Sequence, residues 1–231
     1  MKTKSRSIGQ MIQEQVHKWE RVQPEDSQEK DAHIPVITIA REPGTRGSLV
    51  AEGIAQRLGL DVFHRKIIEQ VAESSEISAS LLETMDEKRL SFLDHWISAI
   101  VNERHLWPDE FLEHLMKVIL AVAEKGRVVI VGRGANFILP PEGSFRVRIV
   151  APLEVRIQNV MSKYDVPLKE AKRRIRRTEL DRRAFVRKHF HADIDDPVNY
   201  DLVINTGSLS VDGAVGAVVG GISGNGGINI S

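Results

Sequence analysis

VITIAREPGTRGSLVAEGIAQRLG, residues Val36–Gly59, decides how the rest of the chain is read. Its first residues are apolar and rich in β-branched side chains, the signature of a buried strand. A turn with two glycines follows, then an apolar-periodic stretch from Leu49 to Leu58 closed by Gly59, which reads as a helix with a glycine C-cap. A strand, a glycine turn and a helix N-terminus in that order form a natural anion cradle. Gly44 and Gly47 let backbone N–H groups curl inward, the helix dipole adds positive potential, and Thr45 and Ser48 offer hydroxyls. The usual phosphate loop, G-x-x-x-x-G-K-[ST], carries a lysine, and here Gly47 stands in its place. Two readings stay open at this point: an ordinary strand-to-helix turn, or a phosphate site whose charge comes from Arg41 and Arg46 on its flanks.

The chain of 231 residues, 42% hydrophobic and 28% charged, is long enough for one sizeable core and reads as a soluble globular protein. Its formal net charge is zero, so any site for a polyanion must come from local clustering. The absence of cysteine removes disulfides, thiolate metal sites and cysteine nucleophiles together, and fits a cytoplasmic setting. No signal-peptide pattern or membrane-length apolar run occurs.

Outward from the opening stretch, Ile8 to Val22 has helical apolar spacing and is expected to dock on the body or form a homodimer contact; a polar linker completes residues 1–33. LDVFH, RVVIVGRG, FRVRIVAP and YDLVIN read as further strands, separated by helical stretches. That alternation predicts a parallel sheet with helices on both faces. FRVRIV alternates basic and apolar residues, which predicts a wetter face or a sheet end. The helical stretch over about 65–125 is an insertion between strands, and residues 207–231 read as a glycine-rich tail prone to fraying.

The second informative segment is KEAKRRIRRTELDRRAFVRKHFHADIDDP, Lys169–Pro197. At about 100° per residue, Arg173, Arg176, Arg177, Arg183 and Arg187 share a face, opposite Ala171, Ile175, Phe185 and Val186. A solvated charged face is the ordinary fate of such a run. Here acids are few, so the run is a genuine local field. It suits either nucleic acid or a polyphosphate, and the shortage of aromatic residues for base stacking makes nucleic acid the weaker fit.

ITIAREPGTRG, VVIVGRGANFIL, RVRIVAPLEVRI, RRTELDRRAFVRKHF and YDLVINT, in this order, resemble the cytidylate kinase-like family of P-loop nucleoside monophosphate kinases. The likeness spans roughly Ile34–Thr206, and that family also lacks the loop lysine. This sequence departs from the family pattern at Pro43, at Arg46, and at Gly134, which stands where an aspartate would follow the arginine of the GRD motif. The resemblance implies an α/β, P-loop NTPase-type three-layer α/β/α domain over 34–206. It has a parallel sheet of about five strands, an acceptor-side helical insertion, and an arginine-rich lid over about 165–195. It implies ATP and a nucleoside monophosphate, CMP or dCMP first, as ligands, with Mg2+ as cofactor and no protein ligand assigned to the metal. The resulting assignments are Arg41, Gly44, Thr45, Arg46, Gly47 and Ser48 for ATP; Arg65, Arg133, Asp181 and Asp201 for the acceptor; and Arg177, Arg183 and Arg187 as the groups that close on the transferring phosphoryl. A nucleotide sensor with poor turnover and a nucleic-acid binder remain as alternatives.

Overall fold

Val36–Arg41 forms β1, with Ile37 and Ile39 buried on one face and Val36 on the other. This is the expectation for a strand covered on both sides. The computed structural model describes residues 36–73, 82, 85, 87–124 and 126–224. The expected N-terminal amphipathic helix, its linker and its dimer contact lie outside the described residues. So does the end of the chain from residue 225.

β1 is the centre of a five-stranded parallel sheet. The other strands are β2 (Asp61–His64), β3 (Val128–Val131), β4 (Ser144–Val150) and β5 (Leu202–Asn205), and the spatial order is β2-β3-β1-β4-β5. The chain moves outward from β1 to one edge and then crosses back to the other. This puts a topological switch point at the carboxyl end of β1, where an open α/β sheet binds its ligands.

Two apolar layers sandwich the sheet. On one face lie α1 (Gly47–Leu58) and α8 (Val211–Gly224), burying Val50, Ile54, Val215, Val218 and Ile222 against Ile37, Ile39, Val147 and Ile149. On the other lie α2 (Arg65–Glu73), α3 (Glu87–Glu103) and α4 (Glu110–Glu124), whose Leu112, Leu115, Met116 and Ile119 are almost fully buried. Trp96 lies within α3 and donates its indole N–H to the Ile138 carbonyl at 2.8 Å. A short helix, α5 (Ala135–Ile138), follows β3. Then α6 (Leu153–Tyr164) and α7 (Leu168–Phe190) pack on each other around Ile157, Val160, Ala171 and Ile175.

The glycine-rich segment after Thr206 departs from the expectation of a tail. Val211–Gly224 is a helix integrated into the core. Glycine weakens an isolated helix, but small residues also permit close approach. A Cβ at Gly53 would stand 2.7 Å from Val215 Cγ2, and one at Gly221 would stand 2.9 Å from Phe145. Burial of valine and isoleucine on α8 offsets the weak propensity.

The basic alternation in β4 is also not a wet face. Arg148 is buried and donates to Asp195 at 2.6 Å, with its guanidinium 5.7 Å from the Tyr200 ring centroid. Arg146 makes a two-pronged pair with Asp201, 3.1 Å from Nε and 2.7 Å from Nη2, and its backbone N–H donates to the same carboxylate. Asp201 therefore clamps the amino-terminal ends of β4 and β5, the edge opposite the switch point, and this removes it from the expected acceptor set. Burial disfavours its charge, but the Arg146 bonds outweigh burial and hold the carboxyl below its ordinary value. A depressed folded value gives stability that is present above the unfolded carboxyl pKa, about 3.9, and is lost as pH falls through the folded value. Asp201→Asn is expected to lower stability at pH 7 by about 1 kcal/mol, to flatten the acid limb of the melting-temperature profile, and to leave nucleotide binding unchanged by calorimetry.

Candidate active site

The loop between β1 and α1 is built as a cradle. Gly44 has φ +87°, and a Cβ there would lie 2.6 Å from the Arg156 carbonyl oxygen, so only glycine fits. Arg46 takes the left-handed conformation at the N-cap of α1, with φ +58°. Gly47 does not have positive φ; a Cβ there would press on the Arg41 side chain at 3.0 Å. The Thr45 hydroxyl is turned inward and donates to the Glu42 carbonyl at 2.9 Å. The loop is braced from outside. Asn159 donates to the Gly44 carbonyl at 2.8 Å, and the Thr206 hydroxyl donates to the Thr45 carbonyl at 2.8 Å. Glu42 accepts the Ala151 backbone N–H at 3.1 Å and faces buried Arg156, whose other side pairs with Glu179 of α7. One arginine thus ties the loop, α6 and α7 together.

Two cavities open at this end of the sheet. The larger, about 610 Å3, is lined by the loop from Arg41 to Leu49, by Glu52 and α6, and by Arg174, Thr178 and Arg182 of α7. The smaller, about 280 Å3, is lined by Arg65, Arg133, Asn136, Asp181 and an apolar wall that includes Phe137, Phe185 and Ile194. Arg41 and Arg182 line both. The Arg182 Nη1 donates to the Arg41 carbonyl, which ties α7 to the end of β1.

The electrostatics of this junction call for an anion. Burial, and then the charge of Arg65, hold the Arg41 guanidinium down to about 10. Burial, followed by Arg41, Arg65 and Arg148, holds Arg182 down to about 9. Arg133 is pushed to about 10 by burial and then by Arg65. Guanidinium groups stay charged at physiological pH, so these shifts measure how far the site disfavours its own positive charge. Glu69 answers part of it. Its carboxylate contacts Arg133 and lies 3.4 Å from Arg65 Nε. A phosphate entering either cavity would supply the missing negative charge.

Most of the residues expected at the site do converge. Arg41, Gly44, Thr45, Arg46, Gly47 and Ser48 line the larger cavity, and Arg65, Arg133 and Asp181 line the smaller one. The lid arginines differ. Arg183 lies outside both of these cavities and pairs with Asp195 at 2.8 Å, and Arg177 and Arg187 stand on exposed positions lining neither. The reason is helical phase. α7 buries Ala171, Ile175, Val186 and Phe190, and the line that this leaves facing the cavities is Arg174, Thr178 and Arg182. Arg174 and Arg182 are therefore the cavity-lining arginines of α7 that the sequence reading missed, and Arg182 lines both cavities. Their signal was a spacing of four residues through Arg174, Thr178 and Arg182, next to Ile175 and Val186.

The motif after β3 is held in an uncommon backbone. Gly132, Arg133 and Gly134 all have positive φ, at +88°, +55° and +69°. For arginine this conformation is strained, and the strain places its guanidinium 4.9 Å from the Phe185 ring centroid, inside the smaller cavity. Where the family motif would carry an aspartate, a Cβ on Gly134 would meet the Phe190 ring at 2.2 Å. The C-terminal end of α7 fills that space.

Among the described residues no cluster of three or more histidine and carboxylate side chains is placed to hold a metal ion, and no helix is long and apolar enough to cross a membrane. Ser48, on the first turn of α1, and Glu52, whose carboxylate lies 3.6 Å from His64 Nε2, are among the residues lining the larger cavity. Their oxygen chemistry fits magnesium bound chiefly through phosphates and water.

A family model described as the cytidylate kinase-like family matches residues 36–208. A cytidylate kinase from Ignicoccus hospitalis is 27% identical over 183 residues, spanning 79% of this chain and 95% of that protein. One from Methanopyrus kandleri is 27% identical over 187 residues, spanning 77% and 87%. Among solved structures, an uncharacterized protein from Eubacterium ventriosum superposes with a TM-score of 0.65 at 23% identity, covering 83% of this chain and 99% of that one.

Proposed function

The chain belongs to the cytidylate kinase-like family, and we propose that it is a nucleotide kinase that moves the γ-phosphoryl group of ATP to the phosphate of a nucleoside monophosphate, with CMP or dCMP the first acceptors to test. The observation that carries this reading is the junction: two cavities of unequal size share a wall made of Arg41 and Arg182, and both residues are half-buried cations. A donor in one cavity and an acceptor in the other would meet there. The names of the curated relatives point to the same reaction class.

In this reading the backbone N–H groups from Gly44 to Ser48 cradle the donor phosphates. Arg133 and Arg65 hold the acceptor phosphate, and Asp181 sits at the acceptor mouth to receive sugar hydroxyls. An acceptor phosphate oxygen attacks the γ-phosphorus while the bond to the bridging oxygen of ADP breaks. The attacking acceptor oxygen is already ionised near neutral pH, so no strong general base is required. Arg41 and Arg182 offset the charge spread over the transferring group, in place of the absent loop lysine. Magnesium, held through Ser48 and Glu52, would neutralise donor phosphate charge. The remaining work is positioning.

The test is turnover. With Mg2+ and ATP, the protein is expected to form ADP when CMP or dCMP is supplied, and each nucleotide should raise the melting temperature by mass action. Stabilisation by nucleotides without ADP formation under any acceptor would replace the kinase reading with a sensor. No stabilisation by any nucleotide would remove both.

A further inference from the structure

The smaller cavity contains a feature that phosphate binding does not use. Asn136, on the short helix α5, lines it and is only 8% exposed, yet its amide Nδ2 has no hydrogen-bond partner among the described residues. Arg133 Nε, three residues earlier on the same wall, is likewise buried and unpartnered there. Buried polar groups are nearly always paired, and an exception in a native fold calls for a ligand or a water. Both residues line one cavity, and each leaves a buried N–H without an acceptor in the free protein.

The donors differ in kind. The guanidinium of Arg133 is charged and suits a phosphate oxygen. The Asn136 amide is neutral and adds nothing to charge neutralisation, and its chain neighbour Phe137 also lines the cavity. We propose that Asn136 is a specificity-determining residue whose Nδ2 donates to an uncharged oxygen, a carbonyl or hydroxyl, on the non-phosphate part of the acceptor. The cavity would thus select a phosphomonoester that carries such an oxygen within reach of its phosphate, against one of similar shape that lacks it. A site built to hydrogen-bond a ligand discriminates strongly, because a ligand without the matching atom leaves the buried donor unpaired. This inference rests on the smaller cavity being the acceptor site.

The test uses the full chain with Asn136→Leu and Asn136→Asp, measured by calorimetry with CMP, UMP and inorganic phosphate, and by thermal melting. Leucine keeps the volume and removes the unpaired donor. Its melting temperature should stay close to the parent's, since the amide Nδ2 has no partner in the free protein. Its affinity for the nucleotide of the two that the parent binds more tightly should fall by about tenfold or more, with phosphate binding changed by less than about twofold. Asn136→Asp, ionised at pH 8, keeps the shape and should bind that nucleotide no better than Asn136→Leu. A fall in melting temperature for both variants with unchanged nucleotide affinity overturns the proposal and makes Asn136 structural. Equal losses for phosphate and nucleotide also overturn it, by placing the amide on the phosphate. If the parent itself binds neither CMP nor UMP, the acceptor reading of the cavity fails first. If the parent binds and the variants bind equally well, only the role of Asn136 fails.

Discussion

Arg182→Ala is expected to lower kcat and kcat/KM together by about 10^3-fold, roughly 4 kcal/mol of transition-state stabilisation. ATP affinity should change far less. Arg182 is the lid residue that lines both cavities, and its guanidinium bonds the carbonyl at the end of β1. A cation in that place meets charge that is largest while the phosphoryl group is between donor and acceptor. The same substitution relieves repulsion from Arg41, Arg65 and Arg148 and gives up the bond to the Arg41 carbonyl, so the melting temperature of the unliganded protein should change little. Loss of activity without loss of stability separates a transition-state role from a structural one. Arg182→Lys should recover only part of the rate, because an ammonium cannot bond the Arg41 carbonyl and a phosphate oxygen in the same planar geometry. Arg177→Ala and Arg187→Ala should stay within about threefold of the parent, as expected for exposed positions. A steady-state assay of ADP formation decides the matter. If Arg182→Ala retains parental kcat while Arg177→Ala or Arg187→Ala loses it, α7 works through its outer face and the junction reading falls.

The contrast between Arg182 and its neighbours shows what the sequence could carry. Strands such as VITIA and RVVIV were legible because β-branched runs buried on both faces have few other uses. The cradle was legible because glycine at Gly44 and a helix start at Gly47 leave a local signature. The phase of α7 was not legible in the same way. Arginines occur at 173, 174, 176, 177, 182, 183 and 187, so nearly every direction around the helix carries one. Which direction faces the site is fixed by contacts distant in sequence: Ala171 and Ile175 against α6, and Val186 and Phe190 against the insertion layer. Pairing across strands is equally silent. Nothing near Asp201 in the chain announces Arg146, 55 residues earlier, as its partner. The glycines of α8 were read as propensity, when their effect is set by neighbours such as Phe145 that only the packed structure supplies.

One added methyl group at Gly134 should lower stability markedly. The glycine's φ of +69° disfavours any residue with a Cβ, and that Cβ would stand 2.2 Å from the fully buried Phe190 ring. Phe190 cannot step aside freely, because it stacks on Phe137 at 5.3 Å and meets Phe185 edge-on at 6.0 Å. Left-handed strain of about 1–2 kcal/mol and overpacking of about 1–3 kcal/mol act together. Gly134→Ala is expected to lower stability by about 3 kcal/mol, which at roughly 2–4 °C per kcal/mol for a chain of this size shifts the melting temperature by about 6–12 °C. The two contributions can be separated. Phe190→Leu alone leaves a small void and should lower stability by about 1 kcal/mol. In the double variant the alanine methyl gains room where the ring was, so the overpacking part is relieved and the backbone part remains. The double-mutant cycle should therefore show a favourable coupling of about 1 kcal/mol or more, measured by denaturant unfolding. Because Phe190 closes α7 and Gly134 flanks Arg133, the single Gly134→Ala variant should also weaken binding of the acceptor more than of ATP. Strict additivity would mean that the ring does not fill the space over Gly134. The C-terminal end of the lid helix would then not be what shapes the acceptor cavity.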